Sequence, residues 1–557
     1  MEKYVACIPM GEHRGKSRFP TRRLSPALKA WRCDLTAFSQ RHNLYFLASN
    51  KTLHVYQPGF PDQKLASEPD LILHPPMTGY GGAGIDWQDP HSINRILVEY
   101  LGNEEVVIVA CDDGDVMGYR TEVIHRALER QSRQFEPPSE VDVPVFLRCN
   151  VGASAWGLAI HREARIIAIS ANTHQITIIA YALSDDDDGL DIEHHSRGRP
   201  KLSTESPFLR QEETIFTLSA ENNLPALSFY GNSGRWLLSS CVDGKTVLWD
   251  LYMRKEAATY QLGWCKSAKE ISKAPGYNSL GWGFTCSCPA ASSVLHGAWG
   301  TLALKTRSAY HLPLAEEQKL GPEEVANRFW DVTTQKKRFT VEERSSPIPY
   351  MESSESEDEF SDGDDEDEDE EDEDEEDEED EDEDVTHNQP QQLDYFQVSE
   401  LAQLAKDNLQ DPFIILTKED VFLIQRPFTT DNMQGRSDHV VSMRRPLHPG
   451  DLTAPLSSPD RHCFFAQIPE LGVFIVGSPI GRAGVFSLYW TQDEDSRWRR
   501  YGFKLEYLLP FRQENENEIA GVPQARDEGL MVGVAVAPVQ GHAIMGRIYN
   551  GRGDGAS

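Results

Sequence analysis

A chain of 557 residues, 39% hydrophobic and with a formal charge of −35, has apolar side chains enough for one large core or a few smaller ones. No apolar run approaches the ~18 residues of a membrane span, and the opening MEKYVACIPMGEHRGKSRF lacks an apolar stretch of signal-peptide length, so a soluble protein is expected. The nine cysteines are odd in number and scattered; most, such as Cys111 and Cys241, fall in strand-like runs and read as buried thiols of a reducing compartment, nucleus or cytosol. Asn50-Lys51-Thr52 and the RGD of Arg552 to Asp554 then carry no meaning as extracellular signals.

Along the chain one plan recurs: a β-rich run, a turn with Gly, Asp or Asn, then a second β-rich run. Tyr45 to Gln57, Val106 to Arg120, Arg165 to Ala182, Arg235 to Asp250, Phe413 to Gln425 and Gly472 to Trp490 each read as a hairpin, because polar turn residues separate two runs of β-branched and aromatic side chains. Ala155 to His161 and Ala226 to Tyr230 add a strand ahead of the third and fourth hairpins. Three or four strands per unit is the plan of a propeller blade. Val55, Val116, Ile176 and Val247 hold like positions 61, 60 and 71 residues apart, against about 40 to 45 for a compact WD-type repeat. The extra length must sit in loops, one carrying a helix over Thr121 to Gln134 and another Ser184 to Ser203.

These units predict an all-β, WD-repeat-like β-propeller of seven blades with long loops; a pair of β-sandwiches is the competing architecture. A flexible tail over 1–29 precedes the first part of the propeller, 30–350. An acidic insert over 351–393 interrupts it, the remainder runs over 394–541, and 542–557 form a tail. GLMVGVAVAPVQG (Gly529 to Gly541) looks like the first strand of a further blade that HAIMGRIYNGRGDGAS does not complete. Either the N-terminus donates the missing strands or the chain end is shortened.

The insert holds 21 consecutive acidic residues, Asp364 to Asp384. Glu352 to Asp384 carry 27 carboxylates and no cation; without them the formal charge moves from −35 to −8. Such a segment repels itself and has little apolar surface to bury, so it should be disordered. It suits a solubilising spacer or a contact for basic proteins such as histone tails. Ser354, Ser356 and Ser361 precede acidic residues and are phosphorylation candidates that would add charge to charge. Beyond it, Val398 to Leu409 reads as an amphipathic helix packed on the ring.

Chemistry-bearing motifs are sparse. GYGGAG (Gly79 to Gly84) has the spacing of a dinucleotide loop but neither the strand before it nor the helix after it, and reads as a flexible glycine loop. Cys286-Ser287-Cys288, His194-His195 and His462-Cys463 lack paired metal-ligand spacing. No Walker loop, GxSxG elbow or HExxH helix occurs, so no enzyme, catalytic residue, cofactor, metal or small-molecule substrate is expected. Arg197-Gly198-Arg199-Pro200-Lys201 resembles an AT-hook, with Arg197 and Arg199 placed for the minor groove, but Asp185 to Asp188 stand nearby, so DNA contact should be weak at most. The same segment, like Lys336-Lys337-Arg338, also reads as a plain basic loop or a nuclear-import signal. Trp249-Asp250 is the closest approach to a WD-repeat ending and is expected to be structural.

The stretches SINRILVEYLGNEEVVIVACDDGDVMGYR (Ser92 to Arg120) and NVGASAWGLAIHREARIIAISANTHQITIIAYAL (Asn150 to Leu183) resemble a fungal family of propeller-type regulators whose namesake affects constitutive transcription of the ribonucleotide reductase genes. The likeness is most specific over Ser92 to Leu183 and extends from about Trp31 to Val539. It implies a nuclear, non-catalytic scaffold, also cytoplasmic in part, acting on that transcription through protein contacts, and association with a cullin ubiquitin ligase through a propeller adaptor. Two alternatives stand beside it: substrate receptor of a cullin ligase, and histone-binding propeller using its acidic tract. Against the first, Trp249-Asp250-Leu251-Tyr252 and Trp330-Asp331-Val332-Thr333 both lack the arginine of the adaptor-binding WDxR motif.

Overall fold

The computed structural model describes residues 5–7, 32–59, 63–79, 84–134, 143–180, 215–261, 263–265, 293–295, 297–313, 329–331, 411–425, 439–447, 460–492, 499–509 and 531–538. These form antiparallel sheets joined in chain order. Thr36–Phe38, Tyr45–Ser49, Thr52–Tyr56 and Leu71–Leu73 make the first; Ile93–Leu101, Glu104–Cys111, Asp115–Arg120 and Val145–Asn150 the second. The third is Ala155–His161, Ile166–Ala171, Gln175–Ala180 and Ile215–Ser219, the fourth Ala226–Tyr230, Trp236–Ser240, Lys245–Asp250 and Lys255–Gln261. All six hairpins read from the sequence are present.

The fifth sheet departs from simple order. Its inner strand Ala298–Ala303 is followed only much later by Phe413–Thr417, Asp420–Gln425 and His439–Arg444, and Phe329–Asp331 adds to its outer edge. The acidic tract therefore belongs to an insertion between the first two strands of one sheet, and itself lies outside the described residues. Phe464–Ile468, Val473–Ser478, Arg482–Thr491 and Arg500–Leu509 form the sixth sheet, with Tyr310–His311 parallel beside Tyr489–Trp490. Gly263–Cys265 pairs with Ser293–Leu295 separately.

Side-chain alternation explains how the sheets stack. Along Glu104–Cys111, Val107 and Val109 join Phe46 and Val55 of the first sheet in one core, while Val106 and Ile108 join Ile167 and Ile169 of the third in another. A strand buried on both faces needs apolar side chains at every position, which is why VVIVA is continuous rather than alternating. The same sharing links third to fourth sheet through Ile176 and Leu237, fourth to fifth through Leu238 and Phe422, and fifth to sixth through Leu423 and Phe474. Face-to-face stacking of successive four-stranded sheets is the architecture of a β-propeller.

The described residues make six such sheets where the sequence spacing suggested seven blades. Between the sixth and first runs the extended stretch 531–538: the Met531 N–H donates to Pro479 O at 3.1 Å, and the Leu35 N–H to Val532 O at 2.9 Å. It stands where a seventh inner strand would. The helix α1 (Thr121–Gln134) follows directly on the second sheet's third strand. It buries Ile124, Ala127 and Leu128, spaced three and one apart on one face, against the first core. Among the described residues no helix is long and apolar enough to cross a membrane. Cys7, Cys33, Cys111, Cys149, Cys241 and Cys463 form no disulfide, and all but Cys7 are buried. The expected helix over Val398 to Leu409 lies outside the described residues.

Candidate functional site

Every inner strand runs the same way, so connections after the first and third strands of a sheet emerge on one face of the ring and the remainder on the other. Hydrogen bonds between loops of neighbouring sheets mark both belts. On the first face Gly102 N–H donates to Arg162 O at 2.9 Å, and Lys305 reaches Asn232 Oδ1 at 3.4 Å and Gln467 Oε1 at 3.1 Å. On the second, Ser154 N–H donates to Asp112 O at 2.9 Å and Ala298 N–H to Cys241 O at 3.0 Å.

The first face gathers most of the features singled out by sequence. The strand ends Ala180 and Ile215, which bracket Arg197 and Arg199, lie there, as do Ala303 and Phe413, which bracket Ser354, Ser356, Ser361 and the acidic tract. Those five residues themselves lie outside the described set, as do Cys286, Cys288, His194 and His195. Trp249 is 3% exposed and donates its Nε1–H to Ser239 Oγ at 2.8 Å. Asp250 takes a two-pronged contact from Arg235, 3.0 Å to Nε and 2.7 Å to Nη2, and caps the following turn through the N–H groups of Tyr252 and Met253. The arginine beside Asp250 thus comes from the lead into the preceding strand and not from the position two residues after it. Arg235 also stacks on Trp236 and Tyr252, leaving Tyr252 71% exposed.

The second face carries the connection between Leu73 and Ile93, whose described stretches 74–79 and 84–92 are pinned at their base and expose apolar side chains. The turn Asp112-Asp113-Gly114 sits beneath it. Gly114 has φ of +85° and a Cβ there would fall 1.3 Å from Gly152 O, so only glycine fits. Asp112 accepts from the Asp86 N–H at 2.6 Å, Ser154 Oγ at 2.5 Å and Asn94 Nδ2 at 3.1 Å. Asp115 accepts from the Thr78 N–H at 2.7 Å and Asn150 Nδ2 at 2.7 Å. The His91 ring lies between two acceptors, Asp113 Oδ2 at 2.6 Å and Pro75 O at 3.0 Å. Burial pulls its pKa down, but the Asp113 bond and charge, the Pro75 carbonyl and Asp115 outweigh that and raise it above the ordinary histidine value.

His91, Cys111 and Asp113 place ligand-type atoms within 4.8 Å of one another. Both ring nitrogens of His91 are already engaged, and burial followed by three aspartates pushes the Cys111 thiol well up. The cluster is therefore built as a hydrogen-bonded clamp rather than a metal centre. His462-Cys463 behaves similarly: the ring faces Asp420 O at 3.4 Å, and burial drives the Cys463 thiol up to about 12.

The clamp holds Met77, Ile85 and Trp87 outward at 66%, 39% and 78% exposure. Sequence reasoning read this loop only through its glycines; the missed signal was a tryptophan in a Gly- and Pro-rich connection with no strand to bury it. Large exposed apolar side chains on a rigidly held loop suit protein contact.

Residues 24–238 match the family described as CRT10. A WD repeat-containing protein of Schizosaccharomyces pombe is 28% identical over 224 residues, 40% of this chain and 40% of its own length. A WD40 repeat-containing protein of Dictyostelium discoideum is 25% identical over 244 residues, 43% of this chain and 28% of its own. The chain thus spans well under half the length of these curated relatives. Among solved structures, Chaetomium thermophilum Raptor aligns over 85% of this chain and 25% of its own at 7% identity, with a TM-score of 0.36, too loose to bear on fold or partner. Over residues 24–238 the chain is similar to the CRT10 family, in the region that holds the segments Ser92 to Leu183, and the curated relatives it matches are WD-repeat proteins.

Proposed function

We propose that this protein is a non-catalytic nuclear scaffold that sets transcription of the ribonucleotide reductase genes by holding partner proteins on its two loop-bearing faces. The observation that carries the reading is the coincidence of the family match over 24–238 with the clamped loop 74–92, whose Met77 and Trp87 are the most exposed large apolar residues of that region. A rigid ring offers many loops to several partners at once without a reacting group at its centre. The ligase-receptor alternative is less supported, because the arginine paired to Asp250 is Arg235, held against Trp236 rather than presented outward.

Acute depletion of the protein, with reductase transcripts measured within one cell cycle, tests the proposal. Changed transcripts, reproduced by M77S/W87S in a protein that still melts cooperatively, are expected. Unchanged transcripts with stabilised ubiquitination targets would favour the ligase receptor. Unchanged transcripts with histones as the sole partners lost on deleting Glu352 to Asp384 would favour the histone-binding propeller.

A further inference from the structure

The inner strands of the sheets bring a second constellation to the middle of the ring. Arg95, on the second sheet's inner strand, is 6% exposed, and Arg461, leading into the sixth, is 4% exposed. The charges of both act on the buried Cys33 thiol. Arg95 Nη1 donates to Pro225 O at 3.0 Å, the same carbonyl that faces Cys33 Sγ at 3.9 Å. Arg461 Nη2 donates to the carbonyl of Arg32, the preceding residue, at 3.0 Å. Each guanidinium lies over an aromatic ring, Arg95 over Phe465 at 5.5 Å and Arg461 over Trp299 at 4.4 Å.

Neither side chain forms an ion pair with a described residue, and the Nε–H of each is buried without an acceptor. Asp34 lies within electrostatic reach of Arg95, with its Oδ1 accepting from Thr36 and from the Val534 N–H, and it makes no ion pair with that guanidinium. Two desolvated cations with unused, directional N–H groups are costly unless an anion completes them. Two forks held by different carbonyls and different aromatic rings suit a tetrahedral anion, whose oxygens lie in several planes, better than a planar carboxylate.

We propose that the hub between Arg95 and Arg461 binds a phosphate group, as free phosphate or as a small phosphate monoester. The site is independent of the transcriptional reading and lies where the leads into the inner strands converge, at the end of the ring that also carries Asp86 and Ser92.

Thermal melts and calorimetric titrations of the full-length protein, with inorganic phosphate, AMP or acetate at fixed ionic strength in chloride, test it. A saturable rise in melting temperature with phosphate, lost in R95Q and in R461Q, is expected; an equal or larger response to AMP identifies the monoester as the ligand, and its absence identifies free phosphate. R95K and R461K keep the charge and lose the fork, so they serve if the glutamine variants do not fold. Each should weaken phosphate binding about tenfold. No response beyond chloride, a response that survives all four substitutions, or acetate acting as strongly as phosphate would overturn the proposal.

Discussion

The Asp34 carboxylate accepts the backbone N–H of Val534 at 3.2 Å, joining the lead of the first sheet to a segment 500 residues away. With Leu35 N–H on Val532 O, Gln40 Nε2 on Val536 O at 2.6 Å and Met531 N–H on Pro479 O, it ties the last described stretch between the sixth and first sheets. The contact is compromised electrostatically. Burial raises the Asp34 pKa to about 7 against the lowering effects of Arg95 and the Thr36 and Val534 hydrogen bonds.

A carboxyl group whose folded pKa exceeds its unfolded one binds more protons when folded, so its contribution favours folding most below about pH 4 and is lost as pH rises to about 7. Asp34→Asn keeps an oxygen for the same N–H groups and removes the charge. It should leave stability unchanged near pH 4 and raise it at pH 8 by on the order of 1 to 4 kcal/mol. Urea unfolding at both pH values reads this, and a variant less stable than wild type at pH 8 would show that the ionised carboxylate is needed for closure.

Trp249 is buried between third and fourth sheets and hydrogen-bonded to Ser239. Trp249→Ala leaves a large cavity and an unpaired hydroxyl, and should cost about 3 to 5 kcal/mol. A surface-like loss below about 1 kcal/mol in chemical denaturation would remove Trp249 from the structural role assigned to it.

His91 donates to both Asp113 and Pro75 only when protonated, which matches its raised pKa. That stabilisation is fully present below the unfolded histidine value of about 6.5 and fades as pH rises through the higher folded value. His91→Ala should cost about 1 to 3 kcal/mol at pH 6 by leaving Asp113 Oδ2 buried without its hydrogen bond, while Oδ1 keeps the Asp115 N–H. The difference from wild type should narrow with rising pH, and faster proteolysis within loop 74–92 should accompany it. A variant whose loop is cut no faster would separate His91 from loop anchoring.

Much of the ring was legible because hairpin signals are local. Asp112-Asp113-Gly114 between two β-branched runs, or Val242-Asp243-Gly244 before Thr246-Val247-Leu248-Trp249, specify turn and strands from adjacent residues. The fifth sheet was harder to read, since its first two strands are separated by 304–412 and no local pattern announces their pairing. The hub was invisible for the same reason. Arg95 sits in an ordinary strand and Arg461 in a connection, and only ring closure brings them to Cys33. Loop 74–92 was half legible: its glycines marked a connection, while the clamp beneath it depends on aspartates that also serve the turn.

Deleting Glu352 to Asp384 should barely move the melting temperature, because the insertion joins two strand ends already paired, Ala303 with Phe413, and Leu304 N–H with Pro412 O at 2.9 Å. Its effect should appear in binding. The deletion shifts the formal charge from −35 to −8, and the strand ends that bracket the tract and those that bracket Arg197 to Lys201 lie on one face, so carboxylates that would compete with phosphates for those cations are removed. Fluorescence anisotropy with A·T-rich and G·C-rich duplexes should show weak binding for the full chain and tighter, salt-sensitive binding for the deletion, with A·T-rich DNA preferred. Arg197→Ala with Arg199→Ala in the deletion background should abolish the gain. A gain that persists without those arginines would assign the DNA contact elsewhere, and a deletion that lost cooperative unfolding would make the tract part of the fold.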